Sequence, residues 1–453
     1  MTGHFDVAVL GAGPSGLAAA LGAARRGLRV VVLEQAQTVG GLASSFEVAG
    51  QRVDHGSHRL HVATPPEILR VLADLLGEDL QLRTRNGRIR MDGRWMAFPL
   101  RPIDLIRHAP PSLAAGAVRD LVLSPLRARR PAADTFAARV RQALGPTIAK
   151  RFYEPYARKL WGVDAGELSS ELFRRRVSAG SAAGLVRRIV RGGTGPNASF
   201  WYPRGGFGRI SEAVADAATD AGAEFRLGHQ VVPGTDVAAL ATTVISTLPG
   251  ARTVALYGGD VPTDVREAST SLEYRGAVLV YLVLAEPQYT AFDAHYLPDP
   301  RIPVARLSEP KNYRDDPADP ASTTVLCAEV PADPGGALWN KTDEALGHVV
   351  VNALERSGLP RPHPVKVVVK RIPNVYPVYR VGFERPLAGV EQWAAGRREL
   401  MLVGRQALFA HDNTHHALAM GAAAAACLRA DGTVDRLAWA TARESFRAHV
   451  VED

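Results

Sequence analysis

The most constraining stretch is Phe5 to Glu34, which reads FDVAVLGAGPSGLAAALGAARRGLRVVVLE. A short apolar run, Val7 to Leu10, feeds a glycine-rich turn, Gly11-Ala12-Gly13-Pro14-Ser15-Gly16. An Ala/Leu-rich segment of helical character follows, then a second apolar run, Val30 to Leu33, closed by Glu34. Gly11 permits the tight turn, Gly13 lets the backbone approach a pyrophosphate, and Gly16 lets the helix lie close to the strand. Pro14 and Ser15 open the helix, whose free N–H groups and partial positive charge favour phosphates. Glu34 lies 18 positions after Gly16, where an acid accepts the hydroxyls of an adenosine ribose. Strand, glycines, helix, strand and acid in register therefore predict a βαβ dinucleotide-binding unit.

The chain has 453 residues, more than one core normally fills, and this predicts two or more closely joined domains. Apolar content of 46% and charged content of 22% are those of a globular protein. The net charge of +8 arises from 48 Arg against 6 Lys in a chain rich in Ala and Gly. That bias resembles GC-rich coding more than a design for binding, so no nucleic-acid partner is expected. Cys327 and Cys427 have no metal-ligand spacing, and two isolated thiols fit a reducing cytoplasm. The first apolar run belongs to the nucleotide unit, so no signal peptide is expected. No stretch reaches the length of a transmembrane helix.

Behind Glu34, Thr38-Val39-Gly40-Gly41-Leu42 forms a second glycine turn, and Asp54-His55-Gly56-Ser57-His58-Arg59-Leu60-His61 a polar cluster. Residues 65–76 have helical spacing, and 84–98 read as a hairpin turning at Asp92-Gly93. From about 102 to 195 the pattern is helical, broken by Pro110-Pro111, Pro125 and Pro131, before a stretch with Gly192, Gly193 and Gly195. The run 205–210 reads as a helix start, with an amphipathic helix over 210–221. Strands are predicted near 224–227 and 230–232, at 244–247 returning to the nucleotide sheet, and in a β-rich layer over 272–284 and 365–372. Leu400 to Arg405 reads as a strand ending in Gly404, with a helix over 417–428. The nucleotide-binding part is thus expected to consist of three separated pieces.

With Gly40-Gly41, the return strand and the Gly404 stretch, this unit resembles the FAD-binding fold of the two-dinucleotide-binding flavoproteins, which include amine oxidases, protoporphyrinogen oxidase and phytoene desaturase. Four further stretches are most similar to UDP-galactopyranose mutase-like proteins: His58-Arg59-Leu60-His61, Tyr156-Ala157-Arg158-Lys159-Leu160-Trp161-Gly162, Arg306-Leu307-Ser308-Glu309-Pro310-Lys311, and Gly404-Arg405. The resemblance implies an α/β protein whose Rossmann-type FAD domain (1–83, 200–260 and 396–453) carries an inserted α+β substrate domain (84–199 and 261–395). It implies FAD near Gly11, Gly13, Pro14, Ser15, Gly16, Glu34, Gly40, Gly41, Leu42, Val231, Gly404, Arg405 and Asn413. It places Tyr156, Trp161, Arg306 and Tyr376 against the substrate, with one of Arg174 to Arg176 as a second arginine.

The loop Phe409-Ala410-His411-Asp412-Asn413-Thr414-His415-His416 departs from the mutase pattern, with His411 where a phosphate-gripping tyrosine is expected. The resulting expectation is a cytoplasmic FAD-dependent oxidoreductase that removes a hydride from a small to mid-sized polar, anionic or sugar-like metabolite. His58, His61 or His411 would take the proton, and no metal is expected at His411, His415 or His416. The alternative is a mutase-like isomerase of a nucleotide sugar that uses reduced FAD without net redox. A flavin-binding protein without catalysis is a third reading. The Pro-broken apolar region 102–126 is the single hint of a membrane surface. The sequence leaves monomer and homodimer open.

Overall fold

The computed structural model describes residues 4–128, 133–177, 184, 198–237 and 239–451. Its centre is a five-stranded, wholly parallel sheet in the order Glu224–Leu227, Val30–Glu34, Phe5–Leu10, Ala241–Ser246, Leu400–Leu402. Val7 lies opposite Val30 on one side and Thr243 on the other, and Val244 opposite Leu400. Both faces of such a sheet are covered, so its strands are apolar throughout instead of alternating; Val7, Val9, Val31 and Ile245 have no exposed surface.

One face carries the helix Pro14–Ala24, with Thr414–Ala426 packed on it. Both helices are rich in Ala and Gly because their backbones approach closely. A Cβ on Gly421 would stand 2.1 Å from the Ser15 carbonyl, and one on Gly22 would stand 2.6 Å from the Ala425 methyl.

A seven-stranded sheet forms the second layer, in the order Pro364–Pro377, Tyr274–Leu284, Thr324–Ala332, Arg306–Ser308, Ala294–Tyr296, Gly87–Met91, Arg94–Phe98. Along Tyr274–Leu284, Val278, Val280 and Leu282 pack with Leu346, Val350 and Leu354 of the helix Asp343–Arg356. Leu279, Tyr281 and Val283 face the small hairpin Ser45–Val48/Gln51–Asp54. This is the period-2 division of a strand between two covered faces. A third, helical cluster gathers Phe136, Val140, Leu160, Trp161, Leu172, Tyr379 and Phe409.

The expected hairpin is present as Gly87–Met91 and Arg94–Phe98, with Asp92 and Gly93 both at positive φ. It joins the seven-stranded sheet through Gly87–Met91, which runs parallel to Ala294–Tyr296. The expected strand at 230–232 is absent. The backbone there turns back, with Gly228 and His229 donating to the Ala36 and Glu34 carbonyls at 2.8 Å each. The prolines of 102–126 open helices instead of breaking them: Pro102 and Pro111 begin Pro102–His108 and Pro111–Val122, and Pro125 follows the first residue of Ser124–Ala128. The strand expected at 365–372 extends over Pro364–Pro377. Pro131, Gly192, Gly193 and Gly195 lie outside the described residues.

Candidate active site

The glycine turn is shaped by contacts that exclude side chains at two positions and leave a third open. Gly11 has φ +98°, and a Cβ there would sit 2.4 Å from the Thr247 hydroxyl oxygen. At Gly16 a Cβ would meet the Gly11 carbonyl oxygen at 2.0 Å. At Gly13, by contrast, it would meet nothing within 4 Å, so the backbone is bare on that side. Gly13 caps the helix Pro14–Ala24, whose first turn holds no acid, and its N–H groups remain suited to an anion.

The second glycine turn lies against the first. The Gly40 amide donates to the Ala12 carbonyl at 2.8 Å, and a Cβ on Gly41 would stand 3.5 Å from the Gly13 Cα. Leu42 continues that turn within the 3₁₀ segment Gly41–Ala43. Gly404, at φ +89°, closes the opposite side, where a Cβ would fall 2.3 Å from the Ser15 hydroxyl oxygen.

Glu34 ends its strand with one carboxylate oxygen accepting from the Ala12 amide and the other from the Ala36 amide, each at 2.8 Å. A carboxylate offers about four lone-pair positions, so both oxygens retain room for a ribose hydroxyl. Val231 lies in the loop that the Glu34 carbonyl anchors through His229, partly buried against the same core. Bare glycine backbone, an unopposed helix N-terminus and a ribose acid form a donor set that fits an adenine dinucleotide such as FAD.

The histidines fall into three settings. His58 stacks on Phe207 at 5.2 Å, and its Nε2–H donates to the His55 carbonyl at 3.0 Å. His61 accepts the Ala63 amide on Nδ1 at 3.0 Å and stacks with His415 at 5.7 Å. His411 is enclosed edge-on by Trp161 at 5.7 Å and Tyr379 at 4.8 Å. Burial pushes the His58 imidazolium pKa down, and burial with the charges of Arg405 and Arg176 pushes that of His411 well down. Both rings are therefore held neutral at neutral pH, which makes them weak bases. His61 holds its backbone amide through the nitrogen lone pair that a proton would need.

Asn413 precedes the helix Thr414–Ala426, and its amide donates to His416 Nδ1 at 3.2 Å. The buried Asp412 carboxylate lies 3.5 Å from His416 Nδ1 and 3.3 Å from His449 Nδ1. Asp412, His416 and His449 bring one potential ligand atom each within 4.8 Å of the others. The charge of Arg175 also acts on Asp412, which opposes a cation there. His416 and His449 stack at 4.4 Å, so the trio reads as a latch on the C-terminal segment.

Two expected ligand-binding arginines are occupied. Arg306 and Glu329 are direct cross-strand neighbours. Arg306 donates in a fork to both Glu329 oxygens at 2.9 Å each, and the Ser57 amide donates to the same carboxylate at 2.7 Å. Arg405 gives its guanidinium hydrogens to the Asp412 and Val375 carbonyls at 2.8 and 2.7 Å, tying two loops together. Its buried Nε–H has no hydrogen-bond partner among the described residues. Arg174 is a surface residue paired with Glu171. Arg175 also pairs with Glu171, at 2.9 Å, and reaches the Phe446 and His449 carbonyls. The charge of Arg176 reaches His411, Tyr376 and Arg405, and that of Arg175 also reaches His411.

Trp161 is buried in the helical cluster, and Tyr156 and Tyr376 pack against it. Tyr156 stacks with Phe152 at 5.6 Å. This aromatic wall meets the seven-stranded sheet at Arg306, whose charge acts on Tyr376. Sequence reasoning missed Glu329 as well as Arg59, which pairs with Asp293 at 3.1 Å and lies over the rings of Phe200 and Tyr313. Their partners come from strands more than twenty residues away, so spacing carried no signal for them.

Residues 9–75 match the NAD(P)-binding Rossmann-like domain. The whole chain aligns with the solved structure of reduced UDP-galactopyranose mutase at a TM-score of 0.77 and 21% identity, covering 94% of this chain and 93% of that one. Cyclohexylamine oxidase from Brevibacterium oxydans aligns at 0.66 and 16%, covering 94% and 98%. By fold, the chain resembles both of these enzymes. In sequence, the chain is 26% identical over 472 residues to coproporphyrinogen III oxidase of Propionibacterium freudenreichii subsp. freudenreichii, covering 89% of this chain and 87% of that protein. It is 29% identical over 267 residues to phytoene dehydrogenase of Streptomyces griseus, and that match spans about half of each protein, 50% of this chain and 48% of the other.

Proposed function

We propose that this protein is an FAD-dependent oxidoreductase that dehydrogenates a mid-sized polar, anionic metabolite. The observation that carries the reading is the bare Gly13 backbone beside Gly41, ringed by the helix N-terminus and Glu34. When bound, FAD supplies a two-electron acceptor that takes a hydride from a substrate C–H bond. In this reading residues 1–83, 200–260 and 396–453 hold the cofactor, with Gly11 shaping the turn, the Gly13 and Ser15 amides on the pyrophosphate and Glu34 on the ribose. Val231 meets the adenine edge, while Gly40, Gly41, Leu42, Gly404 and Asn413 line the rest of its length. Residues 84–199 and 261–395 hold the substrate.

Tyr156, Trp161 and Tyr376 provide an aromatic wall that excludes water, and Arg176 provides positive charge for an anionic group. Neutral His58, His61 and His411 orient groups in the pocket, and one of the three rings takes the substrate proton as the hydride leaves. The names of the two curated relatives, an oxidase and a dehydrogenase, support oxidation. Coproporphyrinogen is a polycarboxylate of mid size, and that relative matches most of the chain. A cytoplasmic site fits Cys327 and Cys427, both buried free thiols.

The mutase-like reading has the structural similarity in its favour, yet fold does not carry chemistry. Arg306, expected to grip a diphosphate, is locked to Glu329, and His411 stands at the tyrosine position. Anaerobic absorbance titration separates the readings. The proposal expects the oxidised flavin band to bleach on adding an anionic porphyrinogen or a comparable polycarboxylate, and to recover in air. Conversion of a nucleotide sugar by dithionite-reduced protein alone, with no net electron count, would establish the mutase reading instead.

A further inference from the structure

Most exposed large apolar side chains of the described residues are scattered singly, as on any soluble surface. One stretch differs. Ile103, Val118, Val122, Leu123 and Leu126 are 66%, 63%, 72%, 41% and 58% exposed. Val118, Val122 and Leu126 recur every fourth residue along Pro111–Val122 and the short helix Ser124–Ala128 that follows it. The inward side of the same helix holds Leu113 and the carboxylate of Asp120, which accepts the Thr147 amide at 2.7 Å. A water-facing helix normally turns its apolar stripe inward; here a second apolar stripe faces solvent. Leu105 of the helix Pro102–His108 packs on the same small cluster as Leu113, so both helices stand on one wall of the substrate domain.

The charge around this stripe is net positive, with four arginines against two acids over residues 101–127. Arg101, Arg107 and Arg119 are exposed, and Arg127 is half-buried. Asp104 accepts the Ala97 amide at 2.7 Å and lies 3.1 Å from His108 and 3.7 Å from Arg88, and Asp120 accepts the Thr147 amide and pairs with Arg119 at 3.1 Å, which leaves Arg101 and Arg107 without an acidic partner among the described residues. Beside the stripe is a cavity of about 480 Å³ whose lining includes Arg88, Arg101, Asp104, Arg107, His108 and Phe292, three arginines against one acid. Arg88 lies over the Phe292 ring at 5.0 Å. Exposed aliphatic side chains next to arginines in excess over acids are the two parts of an interfacial membrane anchor, with apolar insertion and attraction to anionic headgroups. Among the described residues no helix is long and apolar enough to cross a membrane.

We propose that residues 101–127 form a docking surface for an anionic phospholipid bilayer. Val118, Val122 and Leu126 enter the headgroup boundary, and the arginines meet lipid phosphates, with the Arg88–Arg107 cavity positioned to receive one. This surface is independent of the redox reading, because none of its residues belongs to the cofactor cradle.

The test is flotation of the purified holoprotein with vesicles of phosphatidylcholine, with or without phosphatidylglycerol, at low and high salt. It is paired with the variant V118S/V122S/L126S, whose three changes are at exposed positions and remove no packing. The expected result is co-flotation with the phosphatidylglycerol vesicles, weakened by salt, and a loss of partitioning on the order of tenfold in the variant. Protein that stays at the bottom of the gradient with anionic vesicles at low salt would overturn the proposal. So would a variant that floats as well as the parent. Analytical ultracentrifugation of both proteins covers the remaining occupant: a dimeric parent with a monomeric variant would assign the face to a second copy of this chain and refute the lipid assignment.

Discussion

Gly13→Ala and Gly16→Ala, three residues apart, should separate cofactor binding from folding. Gly13 has φ −75° and ψ 174°, which alanine adopts without strain, and a Cβ there meets nothing within 4 Å. The apoprotein should therefore lose no stability, and it gains about 0.4–1 kcal/mol from the reduced entropy of its unfolded chain. With FAD the same methyl stands where a phosphate must approach the Gly13 amide. Loss of one charge-assisted hydrogen bond costs about 1.5–3 kcal/mol, so FAD affinity should fall roughly ten- to a hundredfold. At Gly16 the Cβ would lie 2.0 Å from the Gly11 carbonyl oxygen and 3.1 Å from a Val9 methyl. Neither backbone can yield without moving helix from strand, and overpacking of about 1–3 kcal/mol or more should appear in the apoprotein itself. Urea unfolding of each apoprotein followed by FAD titration, read by quenching of flavin fluorescence, measures both quantities. A Gly13→Ala protein that binds FAD as tightly as the parent would refute the assignment of this turn to the pyrophosphate.

Glu329→Ala leaves the Arg306 guanidinium buried without its carboxylate and should cost about 3–5 kcal/mol in urea unfolding; the double variant R306M/E329L should recover most of it, and a single variant as stable as the parent would contradict the pairing. His415 and His416 are held neutral by burial, with pKa values pushed down to about 3 and about 4. The unfolded chain protonates these histidines near pH 6.5, so their contribution to stability is complete above that pH. It should drain away as pH falls toward 4, by about 1.4 kcal/mol per pH unit for each ring. His415→Gln should flatten the plot of urea midpoint against pH, and an unchanged slope would count against a buried neutral ring. His411→Asn should lower kcat through lost packing against Trp161 and Tyr379 but leave the pH profile of kcat/KM in place; loss of its low-pH limb would make His411 the proton acceptor.

What could be read from the chain depended on how local the physics was. The turn from Gly11 to Gly16, the acid at Glu34 and the Asp92-Gly93 hairpin are each decided by neighbours within a few tens of residues, and each is found where spacing placed it. Proline was ambiguous in sequence: Pro102 and Pro111 start helices, because a first-turn N–H has no helical partner to lose. The Val231 region looked like a strand, yet its amides are drawn back to the Glu34 strand end. The arginines were the least legible. Whether Arg306 and Arg405 are free to hold a ligand depends on Glu329 across a strand pair and on carbonyls at Val375 and Asp412, and no spacing rule encodes those partners. His449 meets Asp412 because the last segment folds back on the sheet domain, a contact set by tertiary packing alone.

The most direct test of the account is the identity and amount of nucleotide released when the purified protein is denatured, measured by chromatography with absorbance detection. The account predicts FAD, approaching one per chain after reconstitution, with the band lost in parallel by Gly13→Ala. A folded protein that takes up no FAD, or that retains only a nicotinamide nucleotide, would contradict it.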